Sequence, residues 1–170
     1  CFFFVSAKLR KMTNLALKFC GVQFENPTVL ASGILGVTAS SLKNVVRNGA
    51  GGVTTKSIWL EEHVGHKNPT MFGTANYFLN AVGLSDAGVE KAQEETFPEY
   101  LADHPAPIIG NIVEGTIDRF AELTEKIDAC GADIIELNLG CPNVEGEHGK
   151  PFSCVAGSGR GLRWDFFGQL

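Results

Sequence analysis

TIDRFAELTEKIDACGADIIELNL, residues 116–139, holds a helix and a strand back to back. Phe120, Leu123 and Ile127 recur at spacings of three and four, the period that gathers apolar side chains on one helix face. Thr116 stands where an N-cap belongs and Gly131 where the helix should stop. Residues 132–139 then run as a continuous apolar strand, the pattern of a strand covered on both faces. The same alternation recurs upstream. PIIGNIV (107–113) is a strand preceded by a helical pattern from about residue 88 to 101. GGVTTKS (51–57) is a strand preceded by SSLKNVVRNGA (40–50), with Leu42, Val45 and Val46 on one face, Ser40 or Ser41 as cap and Gly49 as stop. TVLASG (28–33) is the first apolar strand of the series. Unbroken apolar strands alternating with amphipathic helices define parallel β/α units.

Ahead of these units, LALKF and VQF flank Cys20-Gly21, which predicts a hairpin closed by the breaker pair Asn26-Pro27. Residues 58–85 carry Gly, Pro and Asn with no clean period, the mark of a long functional loop. Two parallel architectures remain, a doubly wound sheet and a (β/α)8 TIM barrel. In barrels the chemistry sits at the C-terminal ends of successive strands. Here the strands end in Ala31-Ser32-Gly33, Lys56-Ser57, Asn111, and Asn138 with Cys141 and Asn143. No GxGxxG turn follows the first strand, which a dinucleotide-binding doubly wound fold normally shows. The α/β reading is therefore a barrel, of which this chain carries about the first four β/α units.

Composition narrows the function. The 170 residues are 44% hydrophobic and 19% charged, ordinary for one globular domain or a piece of one. A net charge of −5 leaves no basic footprint for nucleic acid or an anionic membrane. Five widely spaced cysteines without a CxxC pair fit neither a disulfide framework nor a zinc knuckle, and point to a reducing cytosol. No stretch approaches the roughly 18 apolar residues of a membrane span. His63 and His66, with His104 and His148 elsewhere, form an HxxH lacking a third spaced ligand, so no metal is expected. A small-molecule partner fits best.

TVLASG, VTTKS, NAVGL (80–84) and ELNLGCPNV (136–144) occur in the order of the class 1 dihydroorotate dehydrogenases, and the chain resembles that family over residues 13–153. TTKSIWLEE and LNAVGLSDAGVE look closest to the class 1B branch, which pairs with an iron-sulfur and FAD electron-transfer subunit. The resemblance implies an FMN-dependent oxidation of dihydroorotate to orotate, a step of de novo pyrimidine biosynthesis. Cys141 would be the base that takes a ring proton, a task for a thiol whose site lowers its pKa. Lys56 would lie beside both flavin and substrate, its charge favouring the reduced ring. Asn80, Asn138 and Asn143 would bind the substrate, since one amide offers both a donor and an acceptor. Backbone groups of Val82, Gly83 and Leu84 would complete the pocket. Ala31, Ser32, Gly33, Ser57, Asn111 and Asn138 map to cofactor positions. A homo-oligomer is implied at full length.

Gly140 departs from the family's usual Ser. The wording NLGCP is shared with tRNA-dihydrouridine synthases, but TTKS and NAVGL are foreign to them, and an acidic chain suits tRNA phosphates poorly. Dihydropyrimidine dehydrogenase domains share the barrel but normally follow Cys-Pro with His, where this chain has Asn143. Residues 1–12 read as a non-native leader and 154–170 as an atypical tail, far short of a barrel of roughly 250 residues. The competing non-enzyme expectation is an inactive half-barrel that only self-associates. Taken alone, Cys141 would be a buried structural thiol and Lys56 a helix-capping cation. Cys20, Cys130 and Cys154 read as structural.

Overall fold

Positive φ at two successive residues, Cys20 (48°) and Gly21 (82°), turns strand β1 (Leu17–Phe19) back onto β2 (Val22–Phe24), pairing Leu17 with Phe24 and Phe19 with Val22. Such a turn matches the right-handed twist of hairpin strands, and it confirms the hairpin expected from Cys20-Gly21. The computed structural model describes residues 14–145 and 151–153, with residue 34 and those from 141 onward described at the level of the backbone.

Four parallel strands carry the fold: β3 (Val29–Leu30), β4 (Gly52–Thr54) and, further along the chain, Ile108–Ile112 and Ile134–Leu137. Between them lie helix α1 (Ala39–Arg47) and a hairpin of β5 (Met71–Gly73) and β6 (Phe78–Asn80). A continuous helical run follows, from α2 (Val89–Lys91) through a π-helical stretch (Ala92–Thr96) to α3 (Phe97–Leu101). The later strands are therefore β7 (Ile108–Ile112) and β8 (Ile134–Leu137), separated by α4 (Ile117–Ala129). An antiparallel pair, β9 (Gly140–Glu145) and β10 (Pro151–Ser153), ends the described chain.

The strand order is β3-β4-β7-β8. A doubly wound sheet reverses its order at a switch point and covers both faces with helices; this sheet keeps chain order. Its register pairs Val53 with Ile108 and Gly110 with Ile135, so those residues share one face with Ile112 and Leu137. The helices cover that face. Val53, Ile108 and Ile112 join Leu42, Phe97, Tyr100, Phe120, Leu123 and Ile127 in one buried cluster. Each such side chain stabilises by about 1.5–3 kcal/mol on full burial. The other face carries Gly52, Thr54, Ile109, Asn111, Ile134 and Glu136, and among the described residues the β1–β2 hairpin lies against it. A Cβ on Gly52 would stand 2.5 Å from the Phe24 ring, so glycine is what lets the hairpin dock. Between hairpin and sheet remains a cavity of about 380 Å³ lined by Phe19, Ala31, Thr54, Ile109 and Glu136, among others.

Two sequence expectations are corrected. The α1 cap is Thr38 rather than Ser40 or Ser41: its backbone is extended and its side chain accepts from the Ser41 N–H, while both serines are already helical. The 58–85 loop is not irregular throughout, since β5 and β6 pair Phe72 with Leu79 inside it. Every residue of that hairpin is exposed, so no in-out alternation marks it in the sequence. Thr116 and Gly131 hold the positions expected of them, the first accepting from Arg119 N and the second with φ 85°. Among the described residues no helix is long and apolar enough to cross a membrane.

Candidate functional site

The ladder between β4 and β7 continues past the strand ends: Thr55 N donates to Ile109 O and Ile58 N to Asn111 O, both at 2.9 Å. This extension delivers Lys56 and Ser57 to the C-terminal edge of the sheet. Asn138 joins them from β8, its Nδ2 donating to Ser57 Oγ at 3.2 Å. Lys56 is fixed from both ends. Its backbone N–H donates to Gly36 O at 2.9 Å, where any Gly36 Cβ would stand 2.5 Å from that nitrogen, and its Nζ donates to Ser85 Oγ at 3.1 Å. Lys56 and Ser85 also line a second cavity of about 600 Å³ with His63, Asp86 and Lys91.

Asn111 lies on the open face and is buried. Its N–H donates to Thr55 Oγ1 at 3.0 Å and its Nδ2 donates to the Glu136 carboxylate. The Asn111 Oδ1 is buried with no partner among the described residues, as is Ser32 Oγ just past the end of β3. Buried polar atoms are nearly always hydrogen-bonded, so two orphans along one strand-end edge mark a place built for something else. Ala31 lines the open-face cavity, and Gly33 O accepts from Gly36 N at 2.9 Å.

The segment 81–86 reaches the same edge by other contacts. His66 N donates to Val82 O at 3.1 Å and Trp59 Nε1 to Leu84 O at 2.9 Å. Gly83 and Leu84 both have positive φ, 76° and 51°. Gly83 is buried, and among the described residues the N–H groups of Val82, Gly83 and Leu84 have no acceptor. Asp86 accepts from Gly88 N at 2.9 Å and Trp59 N at 3.4 Å; burial pushes its carboxyl above the usual range, opposed by those N–H groups. Asn80 stays exposed on β6 and makes no side-chain hydrogen bond among the described residues. The side chains of Cys141 and Asn143 lie outside the described residues.

Sequence reasoning missed Glu114, Trp59 and Ser85. Glu114 follows the apolar run 107–113, and a charge placed directly after a buried strand was the available signal. Trp59 and Ser85 gave none, because their partners are remote in the chain. Among the described residues no three His, Cys, Asp or Glu side chains gather as metal ligands would.

A parallel α/β sheet with its polar side chains at the C-terminal strand ends is the layout of an α/β enzyme's binding edge. Residues 14–150 match the family model of dihydroorotate dehydrogenase, and the chain belongs to the dihydroorotate dehydrogenase family. Three similar relatives are each named the catalytic subunit of dihydroorotate dehydrogenase B (NAD(+)). That of Methanocaldococcus jannaschii is 42% identical over 153 residues, covering 89% of this chain and 48% of the relative. That of Methanothermobacter thermautotrophicus is 39% identical over 130 residues, covering 76% and 42%. That of Pyrococcus abyssi is 41% identical over 132 residues, covering 78% and 43%. The chain spans about half the length of the curated relatives it matches.

Proposed function

We propose that the chain supplies the first four β/α units of a (β/α)8 barrel that oxidises dihydroorotate to orotate, with FMN as its cofactor and the strand-end edge as its active site. The observation that carries the reading is the buried Asn111 amide oxygen on the open face of the sheet, without a partner among the described residues, beside the strand end bearing Lys56. An imide N–H of a flavin ring is the donor such an oxygen lacks, and Ser32 Oγ offers a second unpaired group. Bound FMN would supply a hydride acceptor. Lys56 would place its fixed charge where electron density accumulates, a differential stabilisation of the reduced state.

Cys141 is assigned the base: as thiolate it takes the proton from one ring carbon of dihydroorotate while hydride leaves the neighbouring carbon. Asn80, Asn138 and Asn143 would pair with the alternating carbonyl and N–H groups of the substrate ring. The N–H groups of Val82, Gly83 and Leu84, without acceptors among the described residues, suit its carboxylate or carbonyl oxygens. The name "catalytic subunit" carried by the relatives supports a partner that takes the electrons onward, an iron-sulfur and FAD subunit by the class 1B resemblance.

The test is to incubate the purified chain with FMN, desalt it, record the visible spectrum and add dihydroorotate without air. A retained flavin band that bleaches is the expected result. Loss of all flavin, together with no binding of orotate by calorimetry, would overturn the reading for this chain.

A further inference from the structure

We propose that Trp59 is a positioning residue, whose indole N–H holds the 82–84 turn in the conformation that presents its backbone N–H groups to a ligand. The proposal rests on the reading above that this turn binds the substrate. Trp59 lies three residues beyond Lys56, on the stretch where Ile58 bridges to Ile112 of β7, so its backbone is anchored to the sheet. Its indole Nε1 donates to Leu84 O at 2.9 Å. Its ring stacks on His63 with centroids 4.5 Å apart and planes 20° off parallel. His63 in turn exchanges both backbone hydrogen bonds with Asp86, at 2.9 and 2.8 Å, and Asp86 takes the Trp59 N–H. The side chain and both of its neighbours therefore close one loop around residues 84–86.

What this loop restrains is a turn that would not keep its shape alone. Leu84 has φ 51°, a left-handed conformation that a branched side chain adopts only when its surroundings hold it there. Gly83 before it has φ 76°. Gly83 is buried as a residue and its N–H has no acceptor among the described residues; buried backbone N–H groups are rarely left unpaired in native proteins unless a ligand or water completes them. The direction of the Leu84 carbonyl fixes the peptide plane to Ser85, whose hydroxyl accepts from Lys56 Nζ. One indole N–H thus ties the shape of the turn to the placement of the lysine.

Trp59→Phe separates the hydrogen bond from the stack, since phenylalanine keeps a ring against His63 and lacks the donor. Orotate affinity of the chain, measured by calorimetry, should fall roughly fivefold to tenfold in Trp59→Phe, the worth of one neutral hydrogen bond, while FMN retention stays unchanged. Amide exchange should quicken at His66, which donates to Val82 O, and stay unchanged across α4. Equal orotate affinity in wild type and variant would overturn the proposal. If the wild-type chain binds no orotate, the substrate reading fails and exchange alone decides the clamp: an unchanged His66 rate in Trp59→Phe sinks it, and a faster one sustains it.

Discussion

Glu114, buried at the end of β7, accepts from Arg119 Nε at 2.7 Å and from the backbone N–H of Leu60 at 2.9 Å. Arg119 also bonds Glu61, so one guanidinium joins the first turn of α4 to the loop leaving β4. A buried carboxylate stripped of its cation keeps its desolvation cost, offset here only by the Leu60 and Gly115 N–H groups. Arg119→Met is therefore expected to destabilise by about 3 kcal/mol. Glu61→Ala, which removes an exposed and solvent-screened carboxylate, should cost far less than Arg119→Met. Urea unfolding of the two variants checks the order; equal midpoints would mean that Glu114 does not depend on Arg119.

Gly110 faces α4 from the middle of β7, and a Cβ there would stand 2.5 Å from Ile127 Cγ2. Ile127 is wholly buried, so it cannot swing into solvent. Gly110→Ala should cost about 1–3 kcal/mol by overpacking. Adding Ile127→Leu removes the β-branch methyl that collides and should recover part of the loss. A double variant less stable than either single one, by urea midpoint, would refute the contact.

How much of this was legible follows from where the partners lie. The β7–α4–β8 unit could be read directly, because Ile108–Ile112 is a fully buried run and Phe120, Leu123 and Ile127 share one helix face. The β5–β6 hairpin could not, since Met71, Phe72, Phe78 and Leu79 are all exposed and their pattern follows no buried face. At the start of α1, Thr38, Ser40 and Ser41 offer three hydroxyls, and only the extended backbone of Thr38 makes it the cap. Lys56, Ser57 and Asn138 were visible as polar residues ending apolar strands. Glu114 and Trp59 act on Leu60 and Leu84, 54 and 25 residues away, and no local pattern announces a partner at that distance.

Asp86 should give the chain a stability that falls as pH rises. Burial raises its folded pKa, so between the ordinary Asp value of about 3.9 and that raised value the folded state holds the extra proton. Stability then declines across the window and the loss is complete above it. Glu61 works the other way: its bond to Arg119 holds it below the carboxylate range, and its contribution is lost as pH falls. Asp86→Asn keeps an oxygen for the Gly88 and Trp59 N–H groups and removes the titration. Melting temperatures measured from about pH 4 to pH 7 should show the variant gaining on wild type as pH rises. A constant difference would mean that Asp86 titrates alike in both states.

Asn111 links fold to chemistry, because its two amide ends have separate duties. Nδ2 is engaged by the Glu136 carboxylate, while Oδ1 is buried and, among the described residues, idle. Asn111→Asp replaces the donor with a second carboxylate facing Glu136, and like charges at that distance disfavour the folded state. Asn111→Leu instead removes both functions with the same branched shape, and the exposed Glu136 can turn to water. Asn111→Leu should therefore unfold within about 1.5 kcal/mol of wild type, while Asn111→Asp unfolds earlier at neutral pH. If the idle oxygen serves a flavin, Asn111→Leu should also lose FMN on desalting when wild type retains it. Full retention by Asn111→Leu would leave the oxygen without a ligand and remove the observation on which the cofactor assignment rests.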